Sequence, residues 1–116
     1  MFYIIIRILT IQLSKQTIIR DPIYGFVDVS SYPFILQIIK QPFFQRLRRL
    51  SQLGVSVFVY PSATHNRFNH SIGAMQLFLN IFDLLFKNDR SKAVPKLRKL
   101  GVATILLHDI GHGPFY

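Results

Sequence analysis

Four histidines fall in two groups, His65 with His70 and His108 with His112. The first group lies in His65-Asn66-Arg67-Phe68-Asn69-His70-Ser71, the second in His108-Asp109-Ile110-Gly111-His112. A neutral imidazole nitrogen and a carboxylate oxygen are both good donors to a divalent ion. An arginine beside them can grip a phosphate with two parallel N–H groups. On a helix, Arg67 and His70 stand at i,i+3 and share a face. His108 and Asp109 follow an apolar stretch over residues 101–107. An imidazole and a carboxylate at a buried helix end are costly unless something compensates them, and one divalent ion compensates both. His112 is four residues beyond His108 in a Gly-Pro loop, so it falls near the same place. Read singly, each group is ordinary. His70 suits a satisfied interior position, Arg67 a surface charge, and histidine is common at helix C-termini. The His-Asp pair and the distant N-R-x-x-H point to metal and phosphate chemistry only together.

Elements must bring these groups to one place. Residues 17–20 and 26–29 are β-rich and flank Asp21-Pro22-Ile23-Tyr24-Gly25, which predicts a small antiparallel hairpin. From Tyr32 onward the pattern is helical. Pro33 suits a first helical position, followed by Phe34, Ile35, Ile38 and Ile39. Pro42 opens a second helix with an apolar face of Phe43, Leu47, Leu50 and Leu53, stopped by Gly54. Residues 55–60 read as an extended link. Thr64 reads as the N-cap of a long helix to about residue 86. Residues 87–99 carry six basic side chains and open as a polar loop. A last helix over residues 96–110 presents Leu97, Leu100, Ala103, Ile105 and Leu107, and Gly111, Gly113 and Pro114 end it. The expected fold class is mainly α, with a small antiparallel β-hairpin near the N-terminus.

The 116 residues hold one domain at most. Half are hydrophobic and 11 are phenylalanine, which excludes a disordered tail. Lys and Arg total 14 against five acids, all aspartate, for a net charge of +9. Such a balance attracts polyanions such as nucleotides, nucleic acid or acidic membrane surfaces, and a solvated basic face has the same composition. Cysteine is absent, so there is neither a disulfide framework nor a thiolate metal site. No stretch nears the roughly 18 apolar residues of a membrane span. Residues 1–13 are apolar but interrupted by Arg7 and Gln12, and no small-residue cleavage site follows. Residues 1–16 therefore read as an N-terminal extension or strand.

Five phrases occur in order: D-P-I-Y-G at 21–25, F-Q-R-L-R at 44–48, Q-L-G at 52–54, H-N-R-F-N-H-S-I-G at 65–73 and H-D-I-G-H-G-P-F at 108–115. Together they resemble the HD-domain metal-dependent phosphohydrolases, named for a central His-Asp. Within that family they are most similar to the deoxynucleoside triphosphate triphosphohydrolase (dGTPase-like) branch, which includes vertebrate proteins joining a sterile-alpha motif to an HD domain. The resemblance runs from about residue 17 to the end. It implies an HD-domain helical core, with residues 17–116 as the N-terminal part of such a domain. The implied reaction is cleavage of a dNTP to a deoxynucleoside and triphosphate. His70, His108 and Asp109 match three of four metal ligands, for Fe, Mn or Zn, with Mg accompanying the nucleotide. Arg67 matches an arginine at the substrate phosphates. His112 matches an active-site histidine suited to proton transfer or charge stabilisation. Gln52 and Leu53 match residues that touch the deoxyribose and exclude a 2′-hydroxyl. Gln45 and Arg48 match positions around a regulatory nucleotide site. An acidic residue that reads guanine there in the vertebrate proteins is Lys40 here, a departure at which the resemblance no longer implies guanine-nucleotide activation.

The pattern's fourth ligand, an aspartate, has no counterpart in the chain. Asp83 lies 13 residues beyond His70, about 20 Å along an unbroken helix, whereas metal–ligand bonds are about 2 Å. Asp89 is farther, and Asp21 and Asp28 belong to the hairpin. The expectation is a domain truncated before its fourth ligand and inactive alone. The implied partners are a deoxynucleoside triphosphate, a regulatory nucleotide and further copies in a homo-oligomer, in the nucleus or cytoplasm and away from membranes. Two alternatives stand beside this: a catalytically dead protein that binds single-stranded nucleic acid or partner subunits, and an HD phosphohydrolase acting on another phosphate ester.

Overall fold

A computed structural model describes residues 17–114. The N-terminal extension expected over residues 1–16 and Phe115 of the last phrase lie outside the described residues.

Strands β1 (Ile18–Asp21) and β2 (Gly25–Asp28) pair antiparallel, with Ile19 opposite Val27 and Asp21 opposite Gly25. The turn is local chemistry. Asp21 Oδ1 accepts from the backbone N–H of Ile23 at 2.8 Å and of Tyr24 at 2.9 Å, and Gly25 takes φ +72°. An aspartate that bonds the backbone two and three residues on, closed by a glycine free to adopt positive φ, specifies a tight reversal. The hairpin anchors through Val27, fully buried in the core.

Helix α1 (Pro33–Ile39) opens on a proline, as expected, and buries Ile35 and Ile39. Helix α2 (Pro42–Gln45) also opens on a proline but continues as a 3-10 turn, Arg46–Arg49. The tighter winding moves its buried face to Phe44, Leu47 and Leu50; Phe43 is exposed and Leu53 only half-buried. Gly54 does not stop a helix. With φ +55° it starts a second 3-10 turn, Gly54–Phe58, where an extended link was expected.

Helix α3 (Arg67–Leu85) is the long helix, and its N-cap is Asn66 rather than Thr64. A short antiparallel bridge, Ser51 with Asn66, explains the delay. The Arg67 N–H donates to the Leu50 carbonyl at 2.9 Å and the Gln52 N–H to the His65 carbonyl at 3.2 Å, which keeps residues 65–66 extended. The helix begins as soon as Asn66 Oδ1 can accept from the Asn69 N–H, at 2.9 Å. Phe68, Ile72, Met75, Leu79 and Phe82 form its buried stripe.

Helix α4 (Ala93–Leu107) starts earlier than expected, with Pro95 in the first turn, where its missing N–H costs nothing. Residues 93–95, expected in the polar loop, are therefore helical. The buried face is Val102 and Leu106, with Ile105 packed against the core, while Leu97, Leu100 and Leu107 are exposed. At Gly101 a Cβ would stand 2.1 Å from Cζ of Phe78 on α3, so any larger residue there would have to displace the Phe78 ring. Arg98 spans the same pair of helices. Its Nε donates to Asp83 Oδ1 at 2.7 Å and its Nη2 to Asp83 Oδ2 at 2.9 Å, and Nη1 also reaches the Tyr32 hydroxyl. This bidentate pair holds the Asp83 carboxyl below its ordinary range.

Candidate metal centre

The start of α3 and the end of α4 lie side by side, and the two histidine groups meet there. His70 is in the first turns of α3; His108 caps α4, and Asp109 follows it. The inward stripe of α4, Val102 and Leu106, continues one turn further to Asp109, which is therefore buried at 8% exposure.

Asp109 is the hub. Its Oδ2 faces Arg67 Nη1 at 3.2 Å and His70 Nε2 at 3.5 Å. Its Oδ1 faces His108 Nε2 at 3.4 Å and His112 Nε2 at 3.3 Å. His70 Nε2 and His108 Nε2 stand 3.2 Å apart. Donors of His70, His108 and Asp109 all fall within 4.8 Å of one another, and no other such group occurs among the described residues. Ligands about 2.0–2.2 Å from one ion sit about 3.0–3.5 Å apart in tetrahedral or octahedral arrangements, so these separations fit a divalent ion. The protonation pattern fits as well. His108 Nδ1 lies 2.6 Å from the Ile105 carbonyl, which can only accept, so a neutral ring has its lone pair on Nε2, toward the cluster. Burial pushes the His70 imidazole below its ordinary pKa against an opposing pull from Asp109; His108, Arg67 and His65 push the same way as burial. His70 thus favours the neutral, metal-binding form.

The other expected site residues are distributed around this centre. Arg67 is buried, at 4% exposure, and its Nη1 lies on the Asp109 carboxylate. His112 lines an open cleft of about 380 Å³ with His108, Gly111 and Gly113. Gln52 is tied by its N–H to the His65 carbonyl, beside the entrance to α3, and Leu53 follows it half-buried. Gln45 and Arg48 meet each other: Arg48 Nε donates to Gln45 Oε1 at 2.9 Å, and Gln45 Nε2 donates to the Ile39 carbonyl at 2.6 Å. The Arg48 guanidinium lies 3.6 Å over the Phe68 ring, which connects that pair to α3. Asp83, rejected on distance as a ligand, is committed to Arg98.

Sequence reasoning missed Arg46. Its Nη1 donates to the His112 carbonyl at 2.9 Å and its Nη2 to the Ile110 carbonyl at 2.7 Å. The only signal was its place inside F-Q-R-L-R, and three arginines lie in that turn. Which of them points to the site depends on the 3-10 winding, which the pattern of residues does not specify.

No family model matches the chain. It is 38% identical over 110 residues to the human deoxynucleoside triphosphate triphosphohydrolase SAMHD1, an alignment covering 94% of this chain and 17% of that protein. It is 40% identical over 106 residues to an Acanthamoeba polyphaga mimivirus protein named for an HD domain, covering 80% of this chain and 23% of the relative. Among solved structures it superposes on a phosphohydrolase from Bacteroides thetaiotaomicron with a TM-score of 0.75 and 41% identity, over 87% of this chain and 25% of that one. The chain spans about a sixth to a quarter of the length of the curated relatives it matches. Over most of its own length, the chain is homologous to HD-domain proteins that include deoxynucleoside triphosphate triphosphohydrolases, and it shares their mainly helical phosphohydrolase fold.

Proposed function

We propose that the chain is the ligand-bearing part of a metal-dependent phosphohydrolase that converts a deoxynucleoside triphosphate and water to a deoxynucleoside and triphosphate. The observation that carries this reading is the meeting of His70, His108 and Asp109 from two helices, with donor separations suited to one divalent ion. When bound, such an ion (Fe, Mn or Zn, with Mg on the nucleotide) polarises a phosphoryl group and makes water more acidic.

The chain's own residues supply the rest. Arg67 balances the charge of Asp109 and stands on the phosphate side of the centre. His112 presents Nε2 beside Asp109 Oδ1 and opens to the cleft, so it can hold or pass a proton at the phosphate. Gln52 and Leu53 contact the sugar and exclude a 2′-hydroxyl. Gln45, Arg48 and Lys40 lie around a regulatory nucleotide position, with Lys40 unsuited to reading guanine. Only three donors converge among the described residues, so the chain alone has little or no activity; the working enzyme has a fourth ligand, is homo-oligomeric, and acts in the nucleus or cytoplasm. No described helix is long and apolar enough to cross a membrane.

The exposed Lys87, Arg90, Lys92, Lys96 and Lys99 favour a second role, binding single-stranded nucleic acid. The deciding experiment titrates the chain with Mn²⁺ and Zn²⁺ and assays deoxynucleoside release from dNTPs. Binding of one ion per chain, abolished by His108→Ala and by Asp109→Ala, supports the reading. A chain that binds neither ion overturns it.

A further inference from the structure

We infer that Arg46 is a positioning residue for His112: its guanidinium fixes the loop that carries the imidazole to Asp109. The inference rests on the role proposed for His112. That loop leaves α4 at its C-terminus, where the last carbonyls of a helix lack intrahelical partners. Its own backbone bonds are few. The Ile110 N–H donates to the Leu107 carbonyl at 3.1 Å and the His112 N–H to the Asp109 carbonyl at 3.2 Å. Gly111 and Gly113 add conformational freedom on either side of His112. Against this freedom, Arg46 supplies two directed bonds, to the Ile110 carbonyl at 2.7 Å and the His112 carbonyl at 2.9 Å.

The geometry favours arginine specifically. Two N–H groups of one planar fork address two carbonyls two residues apart, which an ammonium on a flexible stem cannot reproduce with the same rigidity. The fork also stands on a fixed base, because its neighbours Phe44 and Leu47 are fully buried in the core. A bond across 66 residues thus determines where His112 Nε2 lies, 3.3 Å from Asp109 Oδ1. Nothing else among the described residues donates a side-chain hydrogen bond to those two carbonyls.

The test compares the full chain with Arg46→Ala and Arg46→Lys by amide hydrogen exchange and by NMR of the His112 ring. In Arg46→Ala, exchange at residues 110–113 is expected to rise about tenfold or more, the scale of losing charge-assisted hydrogen bonds. The buried stripe of α3 keeps its parent rates, and the His112 ring signals shift. Arg46→Lys falls between the two, and it carries the comparison if the alanine variant fails to fold. Dilute guanidinium ion, against sodium at equal ionic strength, restores slow exchange in the alanine variant. Unchanged exchange at 110–113 overturns the inference, and so does an equal rise throughout α3, which would mark Arg46 as a general stabiliser. The metal titration of the parent chain is scored separately: it can fail while the exchange result stands, or succeed while the exchange result fails.

Discussion

Asp109 has one arginine and three histidines within 3.5 Å, and it is nearly inaccessible to water. Two consequences follow at the scale of single residues. Asp109→Ala takes away the carboxylate that Arg67 faces in the interior, and loss of one partner of a buried pair typically costs about 3–5 kcal/mol. The expected result is a large fall in the urea midpoint together with loss of metal binding. Asp109→Asn keeps the shape and destabilises less, while still weakening the metal. A stability loss below about 1 kcal/mol for the alanine variant would show that the pair is not energetically coupled. The second consequence concerns pH. His70 has a lowered native pKa, chiefly from burial, whereas in the unfolded chain it titrates near its ordinary value of about 6.5. As pH falls below that value the unfolded state takes up the proton first, so metal-free stability is full above it and declines below it. Urea unfolding at pH 7.5 and 5.5 measures the decline. His70→Gln is expected to reduce it, and an unchanged slope would assign the effect to other groups.

Among elements, the crossing of α3 and α4 matters most, because α3 carries one proposed ligand, His70, and the end of α4 the other two, His108 and Asp109. Gly101 allows that approach. Gly101→Ala would gain up to about 1 kcal/mol of helix propensity, but its Cβ collides with the Phe78 ring. Overpacking of this kind typically costs about 1–3 kcal/mol. The expected net effect is a modest loss of stability, relieved in the double variant with Phe78→Leu; a stabilised single variant would mean the ring swings away freely. The sequence disclosed these helices better than their faces. The hairpin turn, the prolines opening α1 and α2, and the extent of the long helix α3 to about residue 86 follow from local rules, and all were legible. The N-cap was misplaced because the Ser51–Asn66 bridge, a contact between distant segments, holds residues 65–66 extended. On α2 the 3-10 winding puts Phe44 rather than Phe43 beside the expected Leu47 and Leu50; on α4 the face was misread because Leu97, Leu100 and Leu107 form a second apolar stripe at helical spacing beside the core-facing Val102, Ile105 and Leu106. The pairing of His70 with His108 and Asp109 was legible through the order of the five phrases and their family resemblance, since each group is ordinary when read singly. Arg46 was not legible, since its partners are backbone carbonyls, which leave no mark on residue type.

At the scale of the whole molecule, charge and apolar surface are both unevenly placed. Lys92 and Lys96 are exposed around the start of α4, whereas Arg98 is engaged by Asp83 and Tyr32. If the basic face binds single-stranded nucleic acid, Lys92→Glu with Lys96→Glu lowers affinity and flattens its dependence on salt by about one to two ion equivalents. An unchanged salt slope would leave a solvated face. Elsewhere Ile81, Leu84, Leu85, Leu97 and Leu100 are exposed on α3 and α4.

His70 and His108 are 38 residues apart in sequence. An ion bound by both would close that loop, so occupancy is linked to folding rather than added to a finished structure. An ion present at 100 times its dissociation constant would stabilise the fold by about 2.7 kcal/mol. By the same linkage, loosening the α3–α4 contact far from the ligands, as with Val102→Ala, would weaken apparent metal affinity whenever it populates the unfolded chain. The ion's apparent affinity would then report how well the two helices dock, and a loss of metal in a variant would not by itself locate the substitution at the centre.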